Sequence, residues 1–207
     1  MSAVLLSTTY FGPVQWYQKL YRYNDVFIDW HESFQKQTYR NRCLIATTQG
    51  IQALTVPVVH GSKASINEML ISDHGNWRHL HWQALQSAYG DSPFFEYYED
   101  DLRPFFAERN WERLVDYNDA ICKKMCELLD FQPNIILSSE FRVQSSCEQA
   151  SNLSDFRQVI SPKHPLEDTD FKPHPYYQVY QQKHGFLPNL SILDLLFNMG
   201  PESIFYL

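Results

Sequence analysis

Apolar and polar positions follow several distinct rhythms along the chain. Ala3 to Leu6 is a short apolar run closed by turn residues, the pattern of a buried strand. After Gly12-Pro13, the residues Val14, Trp16, Tyr17, Leu20 and Tyr21 recur at helical spacing, and Pro13 sits where a first helical turn tolerates it. "DVFID" predicts a second strand, so strand, helix and strand follow one another within about thirty residues, the size of a βαβ unit. "NRCLIATTQGIQALTVPVV" alternates on both sides of Gln49-Gly50 and predicts an antiparallel hairpin.

Downstream the rhythm becomes helical. Trp77, Leu80, His81, Ala84, Leu85 and Ala88 share a face, with Asp73 or Asn76 as cap and Gly90 and Pro93 as stops. A short helix breaks near Pro104, and a longer one from about Trp111 to Leu129 carries the stripe Leu114, Ile121, Met125 and Leu128. "PNIILSSEF" predicts a later strand. Cys147 to Lys172 is polar, aperiodic and interrupted by Pro162 and Pro165, which predicts a long ordered loop or a lid. Asn189 or Ser191 caps a short C-terminal helix that packs Ile192, Leu195 and Leu196 and stops at Gly200-Pro201. The expected fold class is α/β: a single three-layer domain over 1–207 whose mixed sheet combines the N-terminal βαβ-like unit with the antiparallel hairpin, flanked by helices.

Composition narrows the function classes. At 207 residues and 44% hydrophobic content one core is expected, and an aromatic fraction of 15% predicts a core or pocket rich in rings. Seventeen basic against 24 acidic residues give a net charge of −7, which disfavours a nucleic-acid partner because that affinity comes from basic groups releasing counterions. No apolar run reaches the roughly 20 residues of a membrane span, and "MSAVLLSTTY" lacks a basic n-region, so a cytoplasmic location is expected. Cys122 and Cys126, four apart on a helix, read as small buried hydrophobes, and no metal-ligand spacing stands out. With no P-loop, GxGxxG or GxSxG motif and only 7 glycines, ATPase and dinucleotide chemistry are disfavoured and the cofactor stays unknown.

Four stretches carry candidate chemistry. In the first, Tyr10, Gly12 and Pro13 lead into a helix start whose free N–H groups can hold a phosphate; the alternative is a packing unit without a ligand. The places of a nucleotidyltransferase's histidines hold Gly12, Pro13, Val14 and Gln15, which speaks against that catalysis. In "DWHESFQKQTYRNR", Asp29 is placed to act as a base at a strand end, with Lys36, Asn41 and Arg42 as an anion clamp; the alternative is a loop whose cations pair with Asp25, Asp29 or Glu32. His81 shares an apolar face with Trp77 and is either an acid–base group or a core histidine. Arg157 and Lys163 bring positive charge to the polar segment, and Cys43 is a thiol in an apolar strand start. Asn189, Ser191 and Asp194 are explained by capping and by a helix's exposed side.

The blocks "YFGPVQWYQKLYRYNDVFID", "FQKQTYRNR", "LTVPV", "NWRHLHWQALQSAYGDSPFFEYY", "DFRQVISPK" and "YYQVYQQKHGFLPNLSILDLLFNMGP" together resemble the WbqC-like protein family over nearly the whole chain. That family is known mainly from bacterial O-antigen and other surface-polysaccharide gene clusters, so the resemblance implies a pathway rather than a reaction. It favours an enzyme of that pathway, a transferase acting on a nucleotide-linked or lipid-linked sugar, with an anionic partner such as a nucleoside-diphosphate sugar. The alternatives are a noncatalytic protein binding such a sugar nucleotide or a partner enzyme, and a structural subunit. The resemblance also favours the Asp29 stretch as a site, and it gives weight to His81 through the pattern Trp77, His81, Tyr89 and Pro93.

Overall fold

Strand β1 (Ala3–Ser7) is buried from Val4 onward, as a strand covered on both faces must be. The structure is a computed structural model that describes residues 2–59, 65–137 and 153–207; the end of "PNIILSSEF", Cys147 and the start of the expected loop lie outside them. β1 pairs in parallel with β2 (Asp25–Asp29) on one side and β8 (Leu153–Asp155) on the other, and β7 (Ile135–Leu137) extends the sheet beyond β2. The order is therefore β7-β2-β1-β8. The opening βαβ unit closes through helix α1 (Val14–Arg22).

The α/β class and both expected units are present, but parallel and antiparallel strands lie in separate sheets. β3 (Arg42–Thr47) and β4 (Gly50–Thr55) pair only with each other among the described residues. Pro57, which has no N–H to give a ladder, ends that hairpin, and β5 (Val58–Val59) pairs with β6 (Leu70–Ile71) instead. The fourth strand of the main sheet is β8, which lies inside the stretch expected to be loop. Three residues ending in Ser154 and Asp155 show no apolar alternation, so only pairing with β1 reveals them.

Helices α2 (Trp77–Tyr89), α3 (Phe95–Leu102), α4 (Pro104–Ala107) and α5 (Leu114–Leu128) follow; of the predicted stripes Trp77, His81, Leu85, Ala88, Leu114, Ile121 and Met125 are buried, whereas Leu80 is exposed on the far side of α2. Helix α7 (Ile192–Met199) starts at Ser191, whose hydroxyl accepts from the Leu193 N–H as a cap. Asn189 caps a different helix, accepting from the Gln15 N–H at 2.9 Å. Asp194 does not face solvent as expected. It is fully buried and accepts from the Tyr176 hydroxyl (2.7 Å), Gln178 Nε2 (2.8 Å) and the Tyr89 hydroxyl (2.9 Å). Burial raises its pKa, and those three donors oppose the rise.

The segment after β8 runs as a strap around the other elements, and polar side chains fasten it at each stage. Lys163 bonds Gln37, Asp168 pairs with Lys19 of α1 at 2.8 Å, Tyr176 reaches Asp194, and the Tyr180 hydroxyl donates to the Ala88 carbonyl at 2.8 Å. Past the short helix α6 (Gln181–His184), which supplies Lys183 to the Thr48 carbonyl at 2.6 Å, the strap returns to α1. Lys19 is almost completely buried, with its ammonium also over the Phe156 ring at 4.5 Å, so α1 has a charged face only because the strap covers it. Replacing Asp168 by Ala strands that ammonium and is expected to cost about 3–5 kcal/mol of stability, with most recovered in a Lys19→Met, Asp168→Leu double variant. Urea denaturation measures both; a single-variant loss below about 1 kcal/mol would mean the strap is not clamped there.

Candidate functional site

Open parallel sheets bind ligands at the carboxyl ends of their strands, where successive connections leave in opposite directions. Here the chain goes from β1 outward to β2 and β7, then returns to place β8 on the other side of β1. The switch point thus lies between the ends of β1 and β8. A small crevice of ≈ 10 Å³ is found there, walled by Ser7, Thr8, Thr9, Arg40 and Arg157 with the rings of Trp16, Tyr39 and Phe156.

The register sets its charges. Ser7 lies opposite Asp29 and Leu5 opposite Asp155, so two carboxylates end the strands that flank β1. Arg157 spans them: its Nε and Nη2 donate to Asp155, and its Nη1 donates to Asp29 at 2.7 Å. The bonds to Asp155 hold the guanidinium's pKa above its ordinary value, against the effect of burial. Asp29 is fully buried and also accepts from the His31 N–H at 2.8 Å. Beside them Arg40 forms a buried fork with Glu32, Nε to Oε1 at 2.8 Å, and donates from Nη2 to the Ser7 hydroxyl at 2.8 Å.

Asp29 and Arg157, 128 positions apart, meet in an ion pair, and Lys163 bonds Gln37, the neighbour of Lys36. Lys36 and Lys163 are both exposed and sit on the two segments that leave the carboxyl edge after β2 and β8. Arg42 and Asn41 are placed differently. Arg42 Nε donates to Thr55 Oγ1 within the hairpin, and Asn41 Nδ2 donates to the Val56 carbonyl.

Tyr10, Trp77 and His81 form a second group inside the aromatic core. The Tyr10 hydroxyl bonds His81 Nδ1 at 2.9 Å, and Trp77 packs edge-on against the imidazole at 5.1 Å. Burial pulls the His81 pKa down to about 4, although the Thr55 carbonyl favours the charged ring. Cys43 is likewise buried, which pushes its thiol pKa up and away from nucleophilic use.

The Gly12-Pro13 turn is taken up by the chain itself. The Val14 N–H donates to the Leu190 carbonyl, the Gln15 N–H to Asn189, and the Gly12 carbonyl accepts from Ile192. The first-turn donors that would hold a phosphate are therefore occupied, as in a packing unit. Gly12 is needed for room: a Cβ there would stand 2.4 Å from Thr9 Oγ1. Sequence reasoning passed over Ser7, Thr8 and Thr9, for which three polar residues in a row at the end of a buried strand were the available signal. Among the described residues no three His, Cys, Asp or Glu side chains gather as a metal ion would require.

Fold and site define an α/β protein with a crevice of hydroxyls, rings and paired charges at the switch point of a parallel sheet. The chain belongs to the WbqC-like protein family, whose sequence model matches residues 8–206. It is similar to the Mycobacterium tuberculosis (strain H37Rv) protein Rv1507c, described only as uncharacterized, at 30% identity over 227 residues covering 100% of this chain and 98% of that one. No solved structure matches. No helix among the described residues is long and apolar enough to cross a membrane.

The His81 environment has a measurable consequence. In the unfolded chain this imidazole takes a proton near its ordinary 6.5, whereas the folded chain resists until about 4, so between those values the unfolded state binds more protons. Stability should fall as pH drops through that window, by up to about 3 kcal/mol from this group, and His81→Gln should flatten the slope. Urea midpoints between the two pH values measure it; an unchanged slope in the variant would show that the ring is solvated.

Proposed function

We propose that the protein is a cytoplasmic enzyme of bacterial surface-polysaccharide biosynthesis, a transferase acting on a nucleotide-linked or lipid-linked sugar at the carboxyl edge of its parallel sheet. One observation carries this reading: the Asp29–Arg157 pair closes across the end of β1 at the switch point, where such sheets bind ligands. Family membership supports the pathway. Asp29 is the group for acid–base work, because it is a carboxylate at the strand end bonded to Arg157, which walls the crevice. Lys36 and Lys163, exposed on the two rim segments, are the cations for the donor's phosphates, since they are not tied to carboxylates among the described residues.

The pairing of Asp29 with Arg157 favours a second reading, a protein that binds the sugar donor without turning it over, because the guanidinium occupies the carboxylate oxygen that a base would use. Turnover separates the two. Panels of nucleoside-diphosphate sugars and prenyl-diphosphate sugars, incubated with cell-envelope acceptors and followed by mass spectrometry, should show product. In the first reading Asp29→Asn lowers the rate by about 10²–10⁴-fold with binding retained. Lys36→Ala combined with Lys163→Ala should weaken donor binding by about 1–2 kcal/mol, more at low salt than at high. Binding without product, unaffected by Asp29→Asn, selects the second reading, and a protein that binds no donor of either kind sinks both.

A further inference from the structure

The edge of the parallel sheet opposite the crevice carries a groove of its own. Where β7 begins, the turn after α5 brings Phe131 and Ile135 beside the last turns of that helix, and with Lys123, Cys126 and Glu127 they border an open space of ≈ 880 Å³. Cys126 is a buried thiol in its wall. Cys122 stands one helical turn earlier, so the two side chains share a face of α5, and both are free thiols. The Cys122 thiol is hydrogen-bonded to that of Cys126, which together with burial keeps the proton on Cys122, while the charge of Lys123 favours its loss.

A second observation, made on a different helix, points to a ligand at the same place. The Tyr17 hydroxyl of α1 is fully buried and has no hydrogen-bond partner among the described residues. The titratable groups that bear on it are Cys122 and Cys126. A ring that only packed would cost less as phenylalanine, because a buried hydroxyl without a partner forfeits its hydrogen bond to water. A thiol is a weak acceptor and a thiolate a strong one, so this hydroxyl gains its partner when a sulfur gives up its proton.

We propose that Cys122 and Cys126 form a two-coordinate site for a soft monovalent metal ion of the copper(I) class, with Tyr17 as the hydrogen-bond donor that supports the bound thiolates. Among the described residues no third His, Cys, Asp or Glu gathers with them, so the donor set is too small for tetrahedral zinc and suits a closed-shell cation that two sulfurs satisfy. Loading exchanges protons for metal: two S–H bonds break, two copper–sulfur bonds form, both protons leave to water, and no oxidation state changes. The loaded site carries one net negative charge, which the Tyr17 hydroxyl and the nearby Lys123 ammonium offset. The groove gives the ion its way in at Cys126. The site lies at the amino-terminal edge of the sheet, so it stands or falls independently of any sugar donor at the carboxyl edge.

The test adds copper(I) to the folded chain without oxygen, in competition with bicinchoninate. The unmodified protein and Cys147→Ser should each take one equivalent from the competitor, and X-ray absorption should place two sulfur neighbours on the metal. Cys122→Ser and Cys126→Ser should each lose that binding, and Cys43→Ala should keep it. Tyr17→Phe should bind the ion about 10- to 100-fold more weakly, the usual effect of removing a group that supports a metal ligand, while the metal-free chain melts no lower. Because a serine variant can fail to fold, thiol mapping is read on the unmodified chain as well: copper should protect Cys122 and Cys126 from alkylation. Binding that survives both serine variants, nitrogen or oxygen neighbours in place of sulfur, protection of Cys43 or Cys147 instead, or no copper taken from the competitor overturns the site. Unchanged affinity in Tyr17→Phe overturns the part assigned to that hydroxyl.

Discussion

The rest of the structure depends on one junction, where the turn after the first strand meets the segment before the last helix. Gly12 offers its carbonyl to Ile192, Leu190 accepts from Val14, Asn189 accepts from Gln15, and the Ser191 hydroxyl donates to the Phe11 carbonyl. Those contacts satisfy the start of α1 and fix the start of α7 at once. Because a helix leaves its first N–H groups without internal partners, each of these two helices would begin with unpaired donors if the other end of the chain were removed. Ser191 also donates its own N–H to Leu44, so the antiparallel hairpin is tied to the same point.

From that junction the strap's course follows. With α7 fixed, Asp194 faces inward and needs donors, and Tyr176 and Gln178 of the strap supply two of its three. With α1 fixed, Lys19 faces the strap and needs an anion, and Asp168 supplies it. A segment poor in apolar periodicity is thus held by buried polar groups that cannot be left unpaired, which constrains it as firmly as packing would. The same logic places Arg157 between Asp29 and Asp155, and there the guanidinium also lines a crevice.

The opening strand, helix and strand, the hairpin around Gln49-Gly50, the stripes of α2 and α5 and the Ser191 cap were legible because each is a local pattern of apolar spacing or turn chemistry. The position of Asp29 at a strand end was legible for the same reason, since it depends only on where β2 stops. β8 was not legible: three residues with two polar side chains become a strand only because β1 has an open edge. Nor was the course of Asn189, which sits beside α7 in sequence and caps α1 in space.

By itself, then, the sequence determined the α/β class, the family and the residue types that gather after β1 and β2. Tertiary structure alone decided that Arg157 crosses to Asp29, that Tyr10 and His81 seal each other in the aromatic core, and that Asp194 turns inward rather than out. The physical reason is range. Periodicity reports which face of an element is apolar, whereas the partner of a buried charge or hydroxyl is chosen by elements that arrive from 18, 71 or 128 residues away, and no local pattern records their arrival.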